Sequence, residues 1–168
     1  AAGCVTRIAP DGSKTRVADT GGGPNGLAFG PDGALYCCNN GGFGWVEPVP
    51  GLRVPHGMAA DYNGGSIQRI DLSNGAVTTL YASGDFGCTL RGPNDIVFDA
   101  HGGFWFTDHG KVDYAKRCHD IVGIFYAKPD GSFIEEVIFP SNNPNGVGLS
   151  PDGNTLYAAE TYTCRLMK

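Results

Sequence analysis

One phrase recurs along this chain and restricts its fold more than any other feature. It is Pro-Asn followed by Gly or Asp, a short apolar run, a Gly-containing turn, and a second run rich in aromatics. It reads PNGLAFGPDGALYCC at 24–38, PNDIVFDAHGGFWFTD at 93–108 and PNGVGLSPDGNTLYAA at 144–159. Two apolar runs joined by such a turn form a β-hairpin. A second hairpin type alternates with the first: CVTRIAPDGSKTRVA at 4–18, SIQRIDLSNGAVTTLYA at 66–82 and GIFYAKPDGSFIEEVIF at 123–139. Its apolar and polar residues alternate more cleanly, as half-exposed strands require. The order is therefore outer hairpin, inner hairpin, three times over, with a last strand beginning near Cys164–Lys168.

Four strands per repeat and a period of about 50 residues describe a blade of a β-propeller. The 27 glycines and 11 prolines among 168 residues fit a chain of many short strands and tight turns. The predicted fold is all-β: four-stranded antiparallel blades, about three blade-equivalents, forming one partial propeller over residues 1–168. A closed ring takes roughly four to eight blades. Further blades are expected from the full-length protein or from a second chain. A β-sandwich is the competing architecture, but it does not call for repeated Pro-Asn units.

Blade topology sorts the residues into two faces. With strands A to D counted from the axis outward, the D–A and B–C connections lie on one face and the A–B and C–D turns on the other. Asp11-Gly12, Asp32-Gly33, Asn74-Gly75, Asp130-Gly131 and Asp152-Gly153 fall in the second class and read as hairpin turns, with His101 a solvated turn residue. Asn25, Asn94 and Asn145 fall where the chain enters strand A, beside the central channel. Several carboxamide oxygens converging there suit a hard divalent cation. The alternative is that each Asn only satisfies backbone groups of its own turn.

Strand B ends on the same face, which brings Asn39-Asn40, Asp108, His109 and Glu160 to the mouth. Asp108 and Glu160 are candidate catalytic carboxylates or strand-end caps; His109 is a candidate substrate contact or a loop histidine. Residues 41–64 are expected to form a long loop insert on this face. It carries Trp45, His56 and Met58, as a substrate wall or as ordinary packing.

Composition narrows the partners. Apolar residues at 41% and charged residues at 17% support a packed core. A net charge of −5 without a Lys/Arg run argues against nucleic acid or an anionic membrane as partner. The six cysteines have neither zinc-like spacing nor a regular framework and are expected to be reduced and structural, with adjacent Cys37 and Cys38 pointing to opposite faces. No GxSxG, P-loop, HExxH or GxGxxG motif is present.

The segments GGGPNGLAFGPDGALY, RGPNDIVFDAHGGFWFTD and NPNGVGLSPDGNTLYAAET together resemble the gluconolactonase/regucalcin (senescence-marker-protein) family, and GIFYAKPDGS resembles its outer-strand segment. The resemblance covers nearly the whole chain outside 41–64. It implies a six-bladed propeller with one divalent cation in the channel, Ca2+ first, with Zn2+, Mg2+, Mn2+ or Fe2+ as other occupants. It implies metal contacts from Asn94 and Asn145, and substrate contacts from Asn25, Asp108 and His109. The family's remaining ligands, a Glu in an early blade and an Asp in a late one, are expected outside residues 1–168. The implied activity is metal-dependent hydrolysis of a sugar-type lactone or another cyclic ester. A phosphotriester hydrolase on the same scaffold and a non-enzymatic binding propeller are the alternatives.

Overall fold

The computed structural model describes residues 3–168; the first two residues of the expected unit lie outside the described residues. The described chain opens with a two-stranded hairpin, β1 (Cys4–Ile8) and β2 (Lys14–Asp19). Blade 1 follows: β3 (Pro24–Phe29), β4 (Leu35–Asn39), an inserted hairpin β5 (Phe43–Val49) and β6 (Leu52–Met58), then β7 (Ser66–Ile70) and β8 (Val77–Ala82). Blade 2 repeats the plan with β9 (Pro93–Phe98), β10 (Phe104–Asp108), a small hairpin β11 (Val112–Asp113) and β12 (Cys118–His119), then β13 (Val122–Ala127) and β14 (Ile134–Ser141). The chain continues through β15 (Pro144–Leu149), β16 (Leu156–Glu160) and β17 (Arg165–Met167), the inner part of a third blade.

The sheets run β3-β4-β7-β8, β9-β10-β13-β14 and β15-β16-β17, every neighbouring pair antiparallel. This is the alternation of inner and outer hairpins expected from the sequence. No helix is long and apolar enough to cross a membrane among the described residues.

The predicted turns form with the expected chemistry. Asp11, Asp32, Asn74, Asp130 and Asp152 each accept, through Oδ1, the N–H two residues on. The glycine after each has positive φ, between 72° and 82°, which glycine adopts without steric cost. His101 is exposed, as a turn residue should be.

The core lies between blades. Tyr36, Cys38, Ile67 and Tyr81 of blade 1 pack against Ile96, Phe104, Phe106, Phe125 and Ile134 of blade 2. The Tyr36 and Phe98 rings meet edge-on at 4.9 Å, and those of Phe106 and Phe125 stack at 5.0 Å. The buried Tyr81 hydroxyl reaches across to the carbonyls of Lys128 and Phe133, 2.6 and 2.8 Å away, sharing its one proton between them. A smaller cluster of Val5, Ala18, Leu35, Cys37 and Ile70 joins the first hairpin to blade 1. Cys37 and Cys38 thus serve opposite faces of β4, as strand alternation dictates. All six cysteines are free. Burial holds for Cys37 and Cys38 only; Cys118 and Cys164 are exposed, because they sit in a surface hairpin and in the turn after β16.

Two elements depart from the sequence expectation. Residues 41–64 are not a long loop: β5 and β6 pair across most of the segment. The sequence hides this because Pro48 and Pro55 interrupt the strand pattern. The β11–β12 hairpin, only two residues per strand, is too short to leave a periodicity.

Candidate functional site

The three Pro-Asn units adopt one local structure. In each blade the Pro pairs with the last residue of strand B: Pro24 with Asn39, Pro93 with Asp108, Pro144 with Glu160. The next pairs are Leu27 with Cys37, Ile96 with Phe106 and Val147 with Ala158, so strand A carries one extra residue each time. The motif is therefore a β-bulge. Bulges unpair the ladder locally and re-aim side chains, and are frequent beside functional sites. Asn25-Gly26, Asn94-Asp95 and Asn145-Gly146 occupy the three bulges. The three inner strands stand side by side, β3 against β9 and β9 against β15. Gly26 is required by that approach: a Cβ there would come within 2.6 Å of the Asp95 Cα.

The carboxamides are not consumed by their own turns. Among the described residues, the side chains of Asn25 and Asn94 make no hydrogen bond, and that of Asn145 donates only through Nδ2, to Thr161 Oγ1 at 3.4 Å. Asn94 is half-buried; Asn25 and Asn145 are exposed.

Asp108 and Glu160, candidates for chemistry on sequence grounds, have a different task. With Asn39 they occupy one repeat position and anchor the connection that leads into strand A. Asn39 Oδ1 accepts the N–H groups of Gly23 and Gly41, at 2.9 and 3.0 Å. The Asp108 carboxylate accepts three: Gly92 and Gly110 on Oδ1 at 2.7 and 2.8 Å, and Arg91 on Oδ2 at 2.6 Å. Glu160 accepts the Asn142 N–H and the Ser141 hydroxyl on Oε1, both at 2.9 Å, and Thr163 and Arg165 on Oε2. The residue after each anchor adds a backbone tie, from the N–H of Asn40, His109 or Thr161 to the carbonyl of Gly23, Gly92 or Asn143. Asp108 is wholly buried.

The electrostatics follow from these environments. Burial pushes Asp108 up to about 6 against the pull of its three amide donors. The Asn142 N–H and the Thr163 hydroxyl hold Glu160 down to about 2. A depressed carboxyl contributes stability that is full above its unfolded value, near 4.5, and is lost as pH falls toward 2. Glu160→Gln is accordingly expected to flatten the acid limb of a plot of melting temperature against pH. An unchanged acid limb in the variant would show that Glu160 is not the group responsible.

A further set of contacts ties the blades together. Lys111 is buried; its Nζ donates to the Gly42 carbonyl at 2.9 Å and to Asn40 Oδ1 at 3.2 Å, and lies 3.9 Å from the Phe43 ring centroid. Burial lowers it to about 8. The Tyr62 hydroxyl donates to the Arg91 carbonyl at 2.5 Å, and Arg91 pairs with Asp120 at 2.9 Å. Within the hairpin insert, Arg53 lies over the Trp45 ring, and His56 stacks on Tyr114 of blade 2 at 4.5 Å. Met58 is partly exposed at the end of β6. His109 is half-buried with its pKa lowered by burial, which favours the neutral imidazole. Its ring lies 6.4 Å from that of Tyr162, and its carbonyl accepts a hydrogen bond from Asn143 Nδ2.

Sequence reasoning singled out neither Lys111 nor Thr107 nor the side chain of Asp95. One signal was available: Asp95 stands where the other two repeats have Gly26 and Gly146. Among the described residues no group of three or more His, Cys, Asp or Glu side chains is placed to hold a metal. The hard oxygens at the bulges are the three carboxamides and the Asp95 carboxylate, of which Oδ2 already accepts the Val147 N–H.

Residues 1–168 match the sequence profile of the SMP-30/Gluconolactonase/LRE-like region. The lactonase drp35 of Staphylococcus aureus (strain bovine RF122 / ET3-1) is 31% identical over 145 residues, covering 85% of this chain and 36% of that protein. Lactonase drp35 of Staphylococcus haemolyticus is 31% identical over 143 residues, with the same coverage. The chain thus spans 36% of the length of these curated relatives. A Xanthomonas campestris gluconolactonase structure superposes with a TM-score of 0.70 at 23% identity, over 98% of this chain and 50% of that one. A chain of a nidogen/laminin complex superposes at 0.60 and 19% identity, over 95% of this chain and 50% of that one. Neighbours with such different roles establish the propeller fold and no more, since function resides in the site and not in the scaffold.

Proposed function

The chain belongs to the SMP-30/gluconolactonase/LRE-like family, and from that premise we propose that it supplies part of a metal-dependent site for lactone hydrolysis. Asn94 and Asn145 hold a divalent cation through their Oδ1 atoms, Ca2+ being the best match for neutral hard oxygens. The supporting observation is the pair of equivalent bulges on adjacent inner strands, with neither carboxamide oxygen accepting a hydrogen bond among the described residues.

A divalent cation held there would supply polarisation of the lactone carbonyl and a lowered pKa for a bound water. The protein's own groups orient the substrate. Asn25, on the neighbouring inner strand, offers a free carboxamide as a hydrogen-bond partner for the ring substituents. His109, one residue past the blade 2 anchor and neutral near pH 7, offers an imidazole that donates or accepts. Asp108 and Glu160 act only by fixing the connections that present these residues.

The experiment is a hydrolysis assay on the full-length protein with sugar-type and aliphatic lactones, before and after chelation. Turnover is expected to vanish with chelator and to return with added Ca2+. Undiminished turnover by the metal-free protein removes the metal from this reading, and turnover of phosphotriesters but not lactones replaces the substrate class.

A further inference from the structure

We propose that Thr107 is a positioning residue that sets the separation of Asn94 and Asn145, by bridging the bulges of blades 2 and 3 with its hydroxyl. The inference rests on the metal reading above and extends it to a residue that touches neither cation nor substrate.

Thr107 lies on β10, fully buried. It sits opposite the blade 2 bulge: Phe106 pairs with Ile96 and Asp108 with Pro93, which leaves Thr107 without a partner in β9. The Asp95 N–H, displaced from the ladder by the bulge, donates instead to Thr107 Oγ1 at 3.2 Å. The same hydroxyl donates its own proton to the Asn145 carbonyl, 2.5 Å away on β15. A hydroxyl has one proton to give and lone pairs to receive, so the order Asp95 N–H to Thr107 to Asn145 C=O is fixed. Asp95 adds a second tie, its Oδ2 accepting the Val147 N–H at 3.0 Å. The peptide that follows Asn94 and the carbonyl of Asn145 are thereby held by one atom.

The other blades show that the bulge does not need this device. The residue before the strand B anchor is Cys38 in blade 1 and Ala159 in blade 3, and the residue after the bulged Asn is Gly26 and Gly146. Neither pair offers a hydroxyl or a carboxylate, yet the same bulge forms. Thr107 and Asp95 occur together only between the two asparagines assigned to the cation. A buried polar bridge that the repeat can do without is explained by what it positions: two ligand oxygens on separate blades, whose spacing must match one ion.

The test compares Thr107→Val, which keeps the shape and removes the hydroxyl, with Thr107→Ser, which keeps the hydroxyl. Ca2+ dissociation constants of the full-length proteins are read by calorimetry, beside their melting temperatures. T107V is expected to bind Ca2+ about tenfold more weakly, the cost of one well-placed hydrogen bond, while T107S stays within about threefold of wild type. A purely structural role would lower both melting temperatures without separating the two affinities. T107V binding as tightly as wild type, or T107S weakened as much as T107V, overturns the proposal. If T107V does not fold, Thr107→Ala takes its place; if that also fails to fold while T107S folds, the bridge is a folding element and the proposal is overturned. Asn94→Ala and Asn145→Ala serve as controls: Ca2+ binding unaffected by both sinks the metal reading itself, whereas binding lost in both but intact in T107V sinks only the bridge.

Discussion

Asn94→Ala is expected to abolish measurable lactone turnover in the full-length protein, with a loss of at least about 100-fold. The scale comes from metal sites in general, where even the outer-shell partners of the ligands cost roughly 10–100-fold when removed. Asn145→Ala is expected to behave alike, because the two residues hold equivalent bulge positions on adjacent strands. Stability should hardly change. The Asn94 side chain makes no hydrogen bond among the described residues and is only half-buried, and substitutions of that kind usually stay within about 0.5 kcal/mol. Activity and melting temperature are therefore expected to separate. A variant that loses both together would mark Asn94 as a structural residue, and one that loses neither would remove it from the site.

Asp108→Ala carries the opposite signature. Its carboxylate accepts three backbone N–H groups inside the protein, those of Arg91, Gly92 and Gly110. Each buried donor left unsatisfied costs about 1–3 kcal/mol, so the variant should lose at least about 3 kcal/mol. That is a large part of the roughly 5–15 kcal/mol that hold a typical protein together. Asp108→Asn should fall between. In blade 1 a carboxamide fills this position, but there the Asn39 Nδ2 finds the carbonyls of Thr20 and Gly21 to receive it. In blade 2 the second oxygen of Asp108 faces the Arg91 N–H, so an amide would meet a donor with a donor.

The pH dependence gives a second reading of the same residue. A carboxyl raised to about 6 by burial stabilises the fold most when protonated. Its contribution is complete below its unfolded value, near 3.8, and is lost as pH rises to about 6. The wild type should show that decline in a melting curve series and D108N should not. Equal slopes in the two proteins would mean that Asp108 does not titrate in that window.

Much of this architecture was legible because its signals are local. Alternation, the Asx-Gly turns and the recurring Pro-Asn units depend on residues two to four apart, and they prescribe alternating hairpins wherever the chain goes. The same locality explains the misses. The hairpin at Phe43–Met58 was masked by its prolines, and Lys111 joins Asn40 through a contact between blades that no nearby residue announces. The acidic residues were the hardest to assign. Asp108 and Glu160 look like a mouth-facing carboxylate pair in the sequence, and only the fold shows Asp108 turned inward onto three amides and Glu160 spent on its own loop.

By itself the sequence determined the order of hairpins, the division into blades, and the placement of three asparagines at one repeat position. The tertiary structure decided that these positions are bulges, which carboxylates anchor the chain, and that Thr107 lies between Asn94 and Asn145. The physical reason is reach. Turn and strand preferences act along the backbone, whereas a bulge's aim and a bridging hydroxyl acquire meaning only when neighbouring blades bring their inner strands together.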